Sequence, residues 1–421
     1  MNIKLGYGKT TLEVNVPDKN LVDVLYANDI KHTNLNERAV SYALDNPIGD
    51  IKLIDKLNKL ENKEDKKISI ITSDITRPLP SKKIIPTILE ILKSAGINSN
   101  NITIVFAIGA HRNQTKEEME YLVGSDILNR VKCVDSTPDD VVNYGTTKNG
   151  TPIDISRVVA ESDFVICIGN VEFHYFAGYS GGAKALFPGT SSLRAIECNH
   201  KLMLDDNASA GCLTSNPIRD DIEEIAGKVG IDYIVNVVLD ESKNIVYASA
   251  GDYIKAHRDA CEYLDKMYLK PIKEKADIVI VSQGGYPKDI NLYQLQKALD
   301  NAKSAVKDDG TIILVGECKD GLGNKIFEQY LTSAGKSSDI IDAIQKKFVL
   351  GGHKAGAIAL VLKHANIDLV SSIDSILVES IFLTPRNSAQ EALDIALKKY
   401  GDNAKVLVMP YGGSTLPKVI N

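Results

Sequence analysis

The sequence predicts an α/β protein of two α/β domains, with mostly parallel sheets and an active-site cleft between them. Three observations point there. Short β-rich runs ending in Gly, Asn, Ser or Asp alternate with helical patterns, the sign of βαβ units. The 421 residues are about three times the common single-domain length. A hydrophobic fraction of 44% and a charged fraction of 25% match ordinary globular proteins rather than disordered or fibrous ones.

Taken in order, residues 1–17 alternate apolar and polar like a strand, without the charged start and apolar block of a secretory signal. Strands are expected at 68–72, 102–108, 164–168, 233–239, 278–281, 311–315 and 405–409, with helices between them. Thr115-Lys116-Glu117-Glu118 reads as a capping box opening a helix just after His111. Lys270-Pro271 within the charged stretch 268–276 marks the expected boundary. It divides an N-terminal domain, 1–270 with 405–421 returning to it, from a C-terminal domain at 275–400. Closure of the domains about Lys275 is expected to accompany substrate binding.

A net charge of -6 with no basic stripe argues against a nucleic-acid partner, and no apolar run is long enough to span a membrane. A cytoplasmic protein is expected. The six cysteines, at 133, 167, 198, 212, 261 and 318, are too dispersed for a disulfide framework and read as reduced thiols, with Cys167 as core packing.

In open α/β sheets, ligands bind beyond the carboxyl ends of strands. Five places there concentrate polar residues: Ser73 to Pro78, Gly109 to Arg112, Asn170 to His174, Gln283 to Gln294, and Gly412-Gly413. After the third comes Gly181-Gly182-Ala183-Lys184, a loop whose backbone amides can approach an anion. It does not match the nucleotide-binding P-loop, because no hydroxyl residue follows the lysine.

Taken singly, these groups have ordinary readings: a turn, a hydrogen-bonded loop histidine, or a surface charge at Arg77 and Lys297. His32, His257 and His364 are read as structural. The combination is more specific. Arg77 has the planar fork that suits a carboxylate, two imidazoles can serve as bases on opposite faces of a substrate, and a third can bind a transition metal. That set describes a racemase site.

These residues resemble the nickel-pincer-nucleotide lactate racemases over essentially the whole chain. The resemblance is carried by Asp74-Ile75-Thr76-Arg77-Pro78, Gly109-Ala110-His111-Arg112, Glu172 to His200, and Gly285 to Gln294 followed by Lys297. It implies interconversion of D- and L-lactate by hydride transfer through pyruvate. The implied cofactor is a nickel-pincer nucleotide, a Ni(II) pyridinium-3-thioamide-5-thiocarboxylic acid mononucleotide, covalently attached at Lys184 and ligated by His200. His111 and His174 are implied as the two bases, Arg77 and Lys297 as carboxylate holders, and Asp74 as orienting a base. Gly181, Gly182, Tyr293 and Gln294 are implied as cofactor contacts, and cofactor-biosynthesis proteins as partners.

The chain has no tryptophan, and Gly351 to Gly356 stands where some such racemases, as the resemblance implies, carry one near the substrate methyl group. His353 is therefore a possible pocket residue, although a structural role is the simpler reading. Three other readings stand beside lactate racemisation: another 2-hydroxy acid on the same cofactor, a non-catalytic nucleotide or phosphate binder, and a metal-dependent hydrolase. A binder has no need of two bases, and a hydrolase needs several ligands around one metal.

Overall fold

A computed structural model describes residues 1–28 and 35–420, so His32 lies outside the described residues. Twelve strands build two six-stranded sheets among them: β1 (Leu21–Val24), β2 (Ile68–Ser73), β3 (Ile102–Ala107), β4 (Lys132–Asp135), β5 (Phe164–Asn170), β6 (Tyr233–Leu239), β7 (Ile245–Gly251), β8 (Ala276–Ser282), β9 (Val306–Val315), β10 (Asn366–Val370), β11 (Thr384–Pro385) and β12 (Val406–Met409). Each of the seven strands expected from the sequence is present. The helix expected after His111 is Lys116–Val123, and both halves of its Thr115–Glu118 capping box form.

The chain divides into two compact units, Ile30–Asp265 and Met1–Asp29 with Lys266–Asn421. In the first, the sheet order is β7-β6-β5-β2-β3-β4, parallel except for the β6–β7 pair. All seven residues of β5 are buried, as continuous apolar runs are when helices cover both faces of a parallel sheet. Ile70, Ile104, Phe106, Ile166 and Val235 join one core with the helix residues Ile84, Ile88 and Leu92.

In the second unit the order is β11-β10-β9-β8-β12-β1, parallel throughout. Here the structure corrects the expected division: residues 1–29 and 405–421 fall with the C-terminal unit, not the N-terminal one. All four residues of β12 are buried and apolar, and its two edges pair with β8 and β1, which carries both chain ends into this sheet. Residues 1–17 form two strands, Asn2–Tyr7 and Thr10–Asn15, paired as a hairpin. No helix among the described residues is long and apolar enough to cross a membrane.

Candidate active site

The sheet order of the first unit fixes where its chemistry gathers. From β2 the chain steps outward to β3 and β4 on one side and to β5, β6 and β7 on the other, so β2 and β5 flank the switch point at which ligands bind in open sheets. Asp74 follows β2, His111 follows the adjacent β3, and His174 follows β5. Three parallel neighbours therefore deliver three of the expected residues to one sheet edge.

Asp74 is 2% exposed. Its Oδ2 lies 2.6 Å from His111 Nδ1, and its Oδ1 accepts from Thr76 Oγ1 at 2.8 Å. Burial opposes its ionisation, but the hydrogen bonds from His111 and Thr76 and the charge of Arg77 outweigh that and hold the carboxyl below the usual range. An ionised carboxylate only accepts, so Nδ1 of His111 donates and the lone pair of the neutral ring sits on Nε2. Arg77 is exposed and, with Thr76, Lys82, Tyr121 and Lys243, lines an open cavity of about 460 Å³. Arg112 turns aside to grip Glu118 at 2.7 and 2.8 Å, bracing the capped helix.

His174 belongs to a two-strand ribbon, Phe173–His174 against Gly178–Tyr179. The Ala177 amide donates to its Nδ1 at 3.2 Å, which puts the ring proton on Nε2, the opposite of His111. Part of its surface stays open, yet surrounding protein and the charges of Lys184, Arg77, His200 and Arg219 push its pKa well below the ordinary imidazole value. The neutral ring stacks on Tyr175 and meets the edge of Phe176, with centroids 5.3 and 4.4 Å apart.

Gly181 and Gly182 have φ of +75° and +59°, a region that penalises any side chain. A Cβ on Gly182 would lie 2.8 Å from the His257 ring, and the Gly182 amide donates to Asn236 Oδ1 at 2.8 Å. The loop ends in the short turn Gly182–Ala185, which carries Lys184. Desolvation first, then the charges of Arg219 and Arg77, drive the Lys184 pKa well below the ordinary lysine value. Its Nζ lies 5.8 Å from the centroid of Phe176, and the ring of His200 lies 4.9 Å from the same ring. Phe176 thus touches the surroundings of His174, Lys184 and His200 at once.

His200 lies in the last turn of the helix α1 (Leu193–Lys201). Its Nδ1 lies 3.2 Å from Asn199 Oδ1, while Asn199 Nδ2 donates to Asp221 Oδ2 at 3.2 Å. Asp221 is fully buried and also accepts from Thr151 and Asn149. With the amide nitrogen turned to a carboxylate, the Asn199 oxygen faces His200 and accepts from its Nδ1–H. The Nε2 lone pair is then the one suited to a metal. At the other end of α1, Ser192 caps the helix and donates to buried Asp154, which also accepts from Arg194 at 2.6 and 2.9 Å. Among the described residues no group of three or more His, Cys, Asp or Glu side chains is placed to hold a metal.

One helix residue escaped the sequence reading, and a second acquires a defined partner. Arg219, on α2 (Pro217–Val229), is 1% exposed and donates to the Ala177 and Tyr179 carbonyls; it lies on the apolar stripe of Ile222 and Ala226, the one signal that marks it. His257, on α3 (Lys255–Tyr268), is also 1% exposed and bonds the Ser180 carbonyl through Nε2 at 2.9 Å. Its structural reading gains a specific object, the glycine loop. Asn199 was readable as the neighbour of His200 in Glu197-Cys198-Asn199-His200 but carries no pattern of its own.

In the second unit, Tyr293, Gln294 and Lys297 occupy the first two turns of α4 (Leu292–Ala302), capped by Asn291. Tyr293 and Lys297 are four apart and share a face. Lys354 donates to the Tyr293 carbonyl at 2.6 Å with its Nζ 4.0 Å from the Tyr293 ring centroid. His353 is 7% exposed, accepts from the Gly351 amide at 2.9 Å and stacks on Phe348, geometry that serves packing. Gly412 is a packed turn, bonded to Ser282 and Asn301.

A family model for the lactate racemase N-terminal domain matches residues 7–211, and one for the lactate racemase C-terminal domain matches 272–416. The lactate racemase of Thermoanaerobacterium thermosaccharolyticum is 35% identical over 427 residues, and that of Lactiplantibacillus plantarum 34% over 428, each covering 99% of both chains. The lactate racemase apoprotein structure from the former organism superposes with a TM-score of 0.88 at 33% identity, covering 99% of this chain and 100% of its own. A Thermotoga maritima structure at 19% identity and TM-score 0.62, covering 93% of this chain and 100% of its own, shares the fold. With family models over both halves and relatives matched end to end, the chain belongs to the lactate racemase family.

Proposed function

We propose that this chain interconverts D- and L-lactate using a nickel-pincer nucleotide tethered at Lys184. The observation that carries the reading is the pair of imidazoles with opposite tautomers, His111 on Asp74 and His174 on the Ala177 amide, beyond β3 and β5, the two strands on either side of β2. The donor set fits the cofactor. Burial and the charges of Arg219 and Arg77 disfavour the ammonium at Lys184 and so favour its nucleophilic amine form, His200 is held in the tautomer that ligates through Nε2, and the loop before Lys184 has glycines where side chains would collide. When bound, the group supplies a reversible hydride acceptor for the substrate's 2-carbon, with pyruvate as the planar intermediate between the two transfers.

The chain's own residues handle the proton and the carboxylate. His111 takes the hydroxyl proton at Nε2, and Asp74 stabilises the imidazolium that forms. His174 offers Nε2–H toward the carbonyl oxygen and gives up the Ala177 amide when it must accept a proton instead. Arg77 holds the carboxylate with a planar fork, and Lys297, with Tyr293 and Gln294 as cofactor contacts, takes the role that the family resemblance implies.

The test is intact mass and nickel content of protein expressed with the cofactor-assembly proteins, beside a Lys184→Ala control, followed by assay with each enantiomer of lactate and a panel of longer 2-hydroxy acids. A lysine-dependent adduct with nickel and racemisation of lactate is the expected result. An adduct with turnover only of a longer acid replaces the substrate. No adduct, while a known racemase is loaded by the same system, sinks the reading and favours a ligand-binding protein.

A further inference from the structure

Behind the glycine loop lies a layer of buried polar side chains that the proton chemistry does not use. Asn216 Nδ2 donates to the Phe176 carbonyl at 2.9 Å. Arg219 takes the next carbonyl, Ala177, through Nε and Nη2 at 3.3 and 3.0 Å, and reaches Tyr179 through Nη2. His257 bonds the Ser180 carbonyl and Asn236 the Gly182 amide. Four side chains, from the N-cap and first turn of α2, from α3 and from β6, thus hold the backbone from Phe176 to Gly182, two residues before Lys184.

Arg219 is the costly member of this layer. It is the largest of the fully buried side chains, Nη1 has no hydrogen-bond partner among the described residues, and Glu223, one helical turn on, pairs with Arg258 instead. A buried cation without a carboxylate in contact is destabilising in general, and an uncharged donor would satisfy the same carbonyls at lower cost. A cation at this position therefore calls for a role that needs the charge itself.

We propose that Arg219 is the positioning residue of the attachment lysine, tying down the loop that carries Lys184 and standing as a fixed positive charge beside its amine. The inference rests on the reading of Lys184 as the attachment point. Burial alone penalises an ammonium at Lys184, and the cations Arg219 and Arg77 add to that penalty. The other groups that sense the lysine are His174 and His257, both held neutral by burial, and the Phe176 ring face, which alone favours the ammonium. Arg77 is exposed, so solvent and substrate screen it; Arg219, beneath the loop, is not screened. The uncharged amine is the form whose lone pair can act as a nucleophile, so Arg219 keeps the lysine competent before the cofactor arrives.

The experiment is competitive acetylation of the full-length apoprotein with acetic anhydride across pH, reading each lysine by peptide mass spectrometry, in wild type, Arg219→Gln and Arg219→Lys. Wild-type Lys184 is expected to react at neutral pH while exposed lysines do not. R219Q keeps a donor for one carbonyl and loses the charge, so its Lys184 reactivity at neutral pH should fall roughly tenfold, the effect of about one pKa unit. The pH profile separates charge from shape: a lost charge moves the Lys184 labelling midpoint and leaves the high-pH plateau, and R219K, whose own buried ammonium is penalised as Lys184's is, should fall between wild type and R219Q. Folded R219Q labelling at the wild-type rate, or with an unmoved midpoint, overturns the proposal. If R219Q does not fold, the wild-type profile decides: Lys184 titrating with the exposed lysines overturns the proposal as well. Cofactor mass appearing on Lys184→Ala protein would instead sink the attachment reading while leaving the labelling result standing, so the two failures are separable.

Discussion

Replacing Asp74 with asparagine keeps the side chain's size and removes one negative charge from beneath His111. In the native site that carboxylate is 2% exposed and 2.6 Å from Nδ1, a short charge-assisted bond of a kind worth about 1.5–3 kcal/mol. The charge matters most when His111 has taken a proton. Unit charges about 4 Å apart interact by about 4 kcal/mol at an effective dielectric near 20. His111 is 30% exposed, so part of this is lost to solvent. A net penalty of about 2–3 kcal/mol remains, or roughly 30- to 150-fold in kcat/KM. The assay is racemisation by loaded D74N enzyme, started from each enantiomer and read by enantiomer-specific oxidation. Because the two enantiomers are equal in free energy, kcat/KM must fall by the same factor in both directions, which checks the measurement internally. Folded, loaded D74N within about threefold of wild type would refute the assignment of Asp74 and His111 as one unit, since that is under 1 kcal/mol.

Three further outcomes follow from the geometry. Asn199→Ala removes the acceptor that sets the His200 tautomer and should weaken nickel retention roughly 10- to 100-fold, measured by chelator competition on loaded protein, while Lys184 attachment survives. Gly182→Ala forces a side chain to φ +59° with its Cβ 2.8 Å from His257, at a cost of order 1–3 kcal/mol, and should lower both the melting temperature and the adduct yield; an unchanged melt would remove the strain argument. Arg194 first, with Ser192 and Asn143, holds the Asp154 carboxyl down to about 2, so its stabilisation is complete above the unfolded value near 4 and is lost as pH falls from there toward 2. Asp154→Asn should therefore narrow the stability gap to wild type as the medium is acidified through that window, and a gap that stays constant with pH would contradict it.

What was legible in the sequence follows from how local each signal is. A buried parallel strand must be a continuous apolar run, so 68–72, 164–168 and 233–239 could be read from composition, and residues just after them could be read as site candidates. Strand pairing is not local. Nothing within Val406–Met409 states that its neighbours are Ala276–Ser282 and Leu21–Val24, so the chain ends were assigned to the wrong unit. The site divides the same way. Lys184, His111, His174 and His200 stand in short, dense motifs, whereas Arg219 and Asp221 act through contacts made by folding, 40 residues from Tyr179 and 22 from Asn199. Only the place of Arg219 on an apolar helix face hinted that it was not a surface charge.

The two imidazoles also bear on how substrate binding is linked to protons. His111 donates to the Asp74 carboxylate, whereas His174 is driven well below its ordinary pKa by burial and by the surrounding charges of Lys184, Arg77, His200 and Arg219. A 2-hydroxy acid brings a carboxylate that Arg77 is proposed to hold, which cancels one of those repulsive charges and adds an attractive one. Both changes raise the His174 pKa. A group whose pKa rises on binding takes up protons wherever the pH lies near or between the free and bound values. Binding of lactate to the loaded enzyme should therefore draw protons from the medium on the acid side of neutrality, and the uptake should fade as pH rises past the bound value. Calorimetric titration in buffers of different ionisation enthalpy measures this directly. A binding enthalpy independent of the buffer across that range would mean that substrate charge does not reach His174, and the ring would then act only as an Nε2–H donor.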